Sequence, residues 1–340
     1  MEGFMVTLKD IAKKAGVSAM TVSRALNGKM KDISPQTAEK IRKIAEEMGY
    51  IPNSSARALA SHSSKLVAVL LPDKTDSPNP LMDSYNSYFC GELAREIQKN
   101  GYDLMLHFIR DYSEINYCLK SWQVAGAVFI GAFDENIRQI QEDNPIPLIF
   151  TDSYSTVRRI TNVGIDDFRG GELAAEYLLS KGHRNLAFIG PKALGNGVVM
   201  HRLQGFTQAL KKAGISLPKN RILIFSKKNL DSMLRELKTG PEPVTGIFTN
   251  ADSMAYEIFA AARRLGYEIP GDFSVVGFDD NPMSPLAMPP LTTIRQNVSL
   301  KAEITCQLLM KKLKDPKAVP GENILLDVEL VERESVSTLS

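Results

Sequence analysis

The 340 residues carry 41 Lys and Arg against 39 Asp and Glu, and 44% of the chain is hydrophobic. Cys90, Cys118 and Cys306 lie far apart without ligand-type spacing, which excludes a disulfide framework or zinc site and fits free thiols in a reducing compartment. MEGFMVTLKD has no apolar signal core and no run approaches membrane-spanning length, so a cytoplasmic protein with no membrane partner is expected.

The first feature along the chain is TLKDIAKKAGVSAMTVSRALNG (7–28), which reads as two short helices joined by a glycine turn. Thr7 is placed to cap the first, with Asp10 three residues on. Leu8, Ile11, Ala12 and Ala15 share one face, and Gly16 suits the left-handed residue that ends a helix. Ser18 caps a second helix expected to bury Val22 and Leu26, leaving Ala19, Met20, Ser23, Arg24 and Asn27 more exposed. Small residues, hydroxyls, an amide and one arginine on an outer face suit a helix lying in a major groove. Ser34-Pro35 starts a third helix, whose stripe Ile41, Ile44, Ala45 and Met48 closes a small core before Gly49. Residues 1–64 hold ten Lys/Arg against six Asp/Glu, a net of +4, while the remainder carries −2. Phosphate contact requires a positive excess of this kind.

From Leu66 onward, short apolar runs alternate with helical stretches. LVAVLL (66–71), DLMLHFI (103–109), AGAVFIG (125–131) and PLIFTD (147–152) are of buried parallel-strand type. NLAFIG (185–190), RILIFS (221–226), GIFTN (246–250) and FSVVGFDD (273–280) form a second series, separated by helices near 168–181, 200–213 and 252–265. Such alternation predicts an α/β fold with doubly wound sheets, in two lobes because two series exceed one typical domain. Ligand is then expected in the cleft outside the carboxyl ends of the strands, where Asp152, Asp166, Asp279 and Asp280 fall. An enzyme is disfavoured: GNGVVM (195–200) does not complete GxGxxG, and no GxxxxGK[ST], HExxH or GxSxG is present. His62, His107, His183 and His201 are scattered, and His183 after Gly182 reads as a helix-end cap. A transport-type binding protein needs an export signal and no basic head, the reverse of this chain.

TLKDIAKKAGVSAMTVSRALNG, followed by GYIPNSSARALA (49–60), closely resembles the lactose-repressor (LacI-type) transcription regulators. GHRNLAFIG (182–190), RLQGFTQAL (202–210), SVVGFDD (274–280) and PPLTTIRQN (289–297) fit the same family, so the resemblance spans nearly the whole chain. It implies a three-helix helix-turn-helix head (1–52), a hinge helix and linker (53–64) and a two-lobed, periplasmic-binding-protein-like core (65–340). The N-lobe would take about 65–162 and 293–323, and the C-lobe about 163–292 and 324–340. The resemblance further implies a homodimer on a near-palindromic double-stranded operator, with no cofactor or metal. Its tetramer-forming members carry a heptad-like C-terminal helix that VELVERESVSTLS lacks.

Residue by residue, the resemblance places Ser18, Ala19, Met20, Thr21, Ser23 and Arg24 on the recognition helix. Ala19 and Met20 then face thymine methyls, and Arg24 a guanine. Ser18, Ser23, Asn27, Ser34 and Thr37 fall nearer the phosphates, and Thr7 and Leu8 are counted among the DNA-binding residues. Asn53 would cap a hinge helix formed on DNA, with Ala56, Arg57, Leu59 and Ala60 at the minor groove and Leu59 as a wedge. Asp152, Arg202 and Asp279 match positions that hold a sugar-like effector, with Phe225 near an aromatic position against its face. Two features depart from the family: Ala251 replaces an asparagine before Asp252, and the segment Pro72–Tyr88 looks long. A nucleobase or nucleoside effector is the alternative to a sugar.

Overall fold

In the computed structural model the described residues are 6–28, 33–51, 64–73, 79–131, 137–154, 160–192, 197–315 and 321–339. Asn53, Ala56, Arg57, Leu59 and Ala60 lie outside them. The chain divides into two compact units, Met1–Ser64 and Lys65–Ser340.

The first unit holds three helices, α1 (Leu8–Ala15), α2 (Ala19–Leu26) and α3 (Pro35–Glu47). Each begins on a hydroxyl that satisfies an otherwise orphan amide: Thr7 accepts from Asp10, Ser18 from Thr21 and Ser34 from Thr37. Asp10 completes the capping box by accepting from the Thr7 amide at 2.9 Å. Gly16 closes α1 at φ 73, where a side chain would be strained. Ile11, Ala12, Ala15, Val22, Ala25, Ala38, Ile41, Ile44 and Ala45 form the core. Within α2 the buried pair is thus Val22 and Ala25. Leu26, expected inside, is the last residue of the helix and only partly covered, and Ala19 also leans on the core.

The second unit is two lobes, each a six-stranded sheet. Its first half runs β1 (Leu66–Pro72), α4 (Ser84–Lys99), β2 (Asp103–Ile109), α5 (Tyr112–Ser121), β3 (Gly126–Ile130), α6 (Ile137–Asp143), β4 (Leu148–Thr151) and β5 (Asn162–Ile165). Then come α7 (Asp167–Ser180), β6 (Leu186–Gly190), α8 (Val198–Lys212), β7 (Ile222–Ile224), α9 (Leu230–Thr239), β8 (Gly246–Thr249), α10 (Asp252–Leu265) and β9 (Ser274–Asp279). The last elements are β10 (Thr292–Gln296), α11 (Val298–Lys314), β11 (Asn323–Leu326) and β12 (Val328–Val331). The first sheet has the order β11-β5-β4-β3-β1-β2 with every neighbour parallel. The second has the order β12-β10-β9-β8-β6-β7, parallel except for β10 with β12.

Alternate residues of β1 feed both faces of the first sheet. Val67, Val69 and Leu71 pack with Phe89, Leu93 and Val298, whereas Ala68 and Leu70 pack with Ile115 and Ile140. The second sheet is sandwiched in the same way, by α7 and α8 on one face and α9 and α10 on the other. The chain changes lobe after β5, after β10 and after β11. These crossings fall a few residues beyond the expected 162, 292 and 323, because each of those strands finishes in the sheet it started.

Where α7 and α8 cross, backbone meets backbone. A Cβ on Gly171 would lie 2.0 Å from the Arg202 carbonyl oxygen, and one on Gly205 would lie 1.9 Å from that of Phe168. Neighbouring Gly170 leaves room for the Phe278 ring. His183 closes the end of α7 with its backbone amide, which donates to the Leu178 carbonyl at 3.1 Å, while its side chain does not cap the helix. Its ring is buried, bonded to Thr245 Oγ1 at 2.9 Å and the Ser337 carbonyl at 3.0 Å, and so pins the chain's tail to the second lobe.

Candidate DNA-reading head and effector cleft

On the head, Met20 is 64% exposed, Arg24 is exposed on the same helix, and so is Asn27 just past its end. Ser18 and Ser34 are first committed to their caps, each paired with the hydroxyl three residues on, Thr21 at 2.9 Å and Thr37 at 2.8 Å. The Asn27 amide donates back to the Ser23 carbonyl at 2.8 Å and so closes α2. Each helix start also carries the positive end of its dipole, which favours phosphate oxygens. Thr7, Leu8, Ser23 and Thr37 lie at or near these starts or on the face of α2.

In the core unit, charged and polar residues gather where the parallel strands end. Asp152 follows β4, Asn250 follows β8, Asp279 closes β9 and Gln296 closes β10. Asp152 and Asp279 take positive φ values of 56 and 122, rare for residues with side chains. Strain of about 1–3 kcal/mol at such residues is common at binding sites.

Arg202, on the first turns of α8, is buried. Its Nε donates to Asp167 Oδ1 at 2.7 Å and its Nη1 to the Asn250 carbonyl at 2.5 Å. The guanidinium lies 3.5 Å from the centre of the Phe278 ring. Tyr154, from the first lobe, donates to Asp167 and stacks on His201 of α8 at 3.9 Å. Burial pushes the Asp167 carboxyl above its ordinary range, against the pull of Arg202. Asp279 is pushed well above that range by burial, again opposed by Arg202. Its direct partner is the Gln296 amide at 2.7 Å.

Asp152 sits differently from the expectation of an acceptor held open for ligand. Lys301 Nζ donates to its Oδ1 at 2.5 Å and the Tyr85 hydroxyl to its Oδ2 at 2.7 Å. Both oxygens are therefore already engaged from within the chain. Phe225 packs against the apolar core that includes Ile189, Leu230 and Leu234, so part of its ring serves the fold. The amide missing at Ala251 is present one residue earlier, as Asn250. Asp252 is internal, accepting from Ser284 at 2.6 Å, Thr293 at 2.6 Å and the Asn281 amide at 3.1 Å. Burial raises it to about 6.

Asp152, Arg202 and Asp279 thus fall in one electrostatic cluster, since Asp152 acts on Asp167, Arg202 on Asp279, and Asp279 on Tyr85. Sequence reasoning missed Tyr85, Asp167, Asn250, Gln296 and Lys301. For Lys301 a signal existed: it shares the buried face of α11 with Val298, Ala302 and Thr305. For Asp167 there was none, because its neighbour Asp166 is the equally acidic residue that caps α7, accepting from the Arg169 amide.

A helix-turn-helix head joined to a two-lobed ligand-binding core defines a transcription regulator whose DNA reading answers to a small molecule. Residues 7–53 match the family model for bacterial regulatory proteins of the lacI family, and residues 175–336 match a periplasmic binding protein-like domain. The HTH-type transcriptional regulator DegA of Bacillus subtilis is 32% identical over 98% of this chain and 99% of its own length. The HTH-type transcriptional repressor CytR of Escherichia coli is 30% identical over 98% and 97%. The crystal structure of the lac repressor dimer bound to operator and an anti-inducer superposes with a TM-score of 0.84 at 27% identity, covering 98% of this chain and 99% of that one. The chain belongs to the lacI family and is a DNA-binding transcription regulator.

Proposed function

We propose that this regulator represses a carbohydrate-utilisation operon as a cytoplasmic homodimer, has no enzymatic activity, and takes a small sugar-like effector in its cleft. The observation that carries the effector reading is an excess of hydrogen-bond acceptors. Among the described residues, Asn250 Oδ1 and Gln296 Oε1 are buried without a donor, and the neighbouring Asp279 has only the Gln296 amide. Buried acceptors left bare cost about 1–3 kcal/mol each, and vicinal hydroxyls supply what they lack. Closing the lobes on ligand then shifts the dimer between states of different operator affinity, a coupling of ~1–3 kcal/mol.

A thermal-shift and calorimetric screen of sugars, polyols and purines tests the effector. A sugar should raise the melting temperature, whereas a rise with a purine and none with any sugar would overturn the assignment. On the DNA side, Arg24→Ala should cost about 1–3 kcal/mol, roughly 5- to 150-fold in operator affinity, while leaving weak, salt-sensitive binding. Electrophoretic mobility shifts with operator and random duplex measure both. Unchanged selectivity would remove Arg24 from base reading.

A further inference from the structure

Lys301 is fully buried, on a helix that otherwise feeds Val298, Ala302, Cys306 and Leu309 into the first-lobe core. A lysine there is costly unless its charge is matched. The match is made at the cleft wall: Nζ donates to Asp152 Oδ1 at 2.5 Å and to Tyr85 Oη at 2.7 Å, 5.0 Å from the Tyr85 ring centre and 5.8 Å from that of Phe89. Arg202 is spent in the same way on Asp167 and the Asn250 carbonyl. Three carboxylates, Asp152, Asp167 and Asp279, therefore share two cations, and Asp279 at the second-lobe end has no direct ion pair of its own, only the field of Arg202.

We infer that Lys301 is a specificity-determining residue of the cleft: by neutralising Asp152 from behind, it makes the first-lobe end electrically balanced and selects an uncharged polyhydroxylated effector over a cationic one. The inference rests on the reading that the cleft holds a sugar. Without Lys301, Asp152 would be a bare carboxylate beside Tyr85 and would recruit an amine. With it, an ammonium at that end meets a like charge and an acceptor whose oxygens are both taken. Donor-rich neutral groups still find Asp279, Gln296 and Asn250 at the other end.

The test uses the full chain, the variant Lys301→Met, which keeps length and removes charge, and the double variant Lys301→Met/Asp152→Asn, which removes both charges. Calorimetry is run with D-glucose and D-galactose against D-glucosamine, D-galactosamine and 6-amino-6-deoxy-D-glucose. The unsubstituted chain should favour a neutral sugar over its amine at least tenfold. Lys301→Met should shift that ratio at least tenfold toward the amine, and the double variant should reverse the shift. A ratio within twofold of the starting value in Lys301→Met overturns the inference while leaving the sugar reading intact. No binding of any sugar by any form sinks the sugar reading, and this inference with it.

Discussion

Gly171→Ala should destabilise the core unit by about 3 kcal/mol, the upper end of what an inserted methyl costs in a packed interior. The added carbon would sit 2.0 Å from the Arg202 carbonyl oxygen and 2.9 Å from the Phe206 nitrogen. Both are backbone atoms, so no rotamer change relieves the clash and the two helices must separate. Gly205→Ala meets the Phe168 carbonyl in the same way and should behave alike. The damage should extend to the cleft cluster, because α7 carries Asp167 and α8 carries Arg202, whose 2.7 Å contact depends on that approach. Gly91→Ala is the control. No atom lies within 4 Å of its Cβ, and it sits inside α4, where alanine gains up to about 1 kcal/mol over glycine. Chemical denaturation of the three variants measures the differences. A Gly171→Ala protein as stable as the parent would contradict the packing.

Arg202→Leu should cost about 3–5 kcal/mol, since it strands the buried Asp167 and removes the donor to the Asn250 carbonyl. The loss should deepen with pH. Burial already lifts Asp167 and Asp279 above their ordinary range, and Arg202 is what pulls both back down. Without it, each carboxyl holds its proton in the folded state more tightly than in the unfolded chain. Stability then falls as pH rises above the unfolded carboxylate value of about 4. Denaturation at pH 5 and pH 8 reads this directly, and Arg202→Leu/Asp167→Asn should recover part of the loss and flatten the pH dependence. An Arg202→Leu protein whose deficit is equal at both pH values would mean that the arginine does not set the charge state of its neighbours.

Much of the fold could be read from the residues because burial is written into them. The strands β1, β3, β4, β6, β8 and β9 are largely continuous apolar runs, and the three head helices announce themselves through Thr7, Ser18 and Ser34. The strand β10 could not be read so, because Thr292 and Thr293 are buried through side-chain hydrogen bonds, to the Arg333 amide and Asp252, that no hydropathy pattern shows. The cleft was legible only at its strand ends. Asp152 and Asp279 stood out as acids after apolar runs, but the cation that claims Asp152 comes from α11, far along the chain. A lysine in isolation reads as solvent-exposed; its place on the apolar face of α11 hints that it points inward, but its partner Asp152 is revealed only by the assembled fold.

The first lobe draws a covering helix and its outermost strand from α11 and β11, well past every element of the second lobe except β12. On the ribosome, the head emerges complete, with a core made wholly of its own residues, while the ligand-sensing half still lacks pieces not yet synthesised. Domains tend to fold as they emerge. A nascent or prematurely terminated polypeptide of this type would therefore carry a finished DNA-reading head on a body unable to respond to a small-molecule effector.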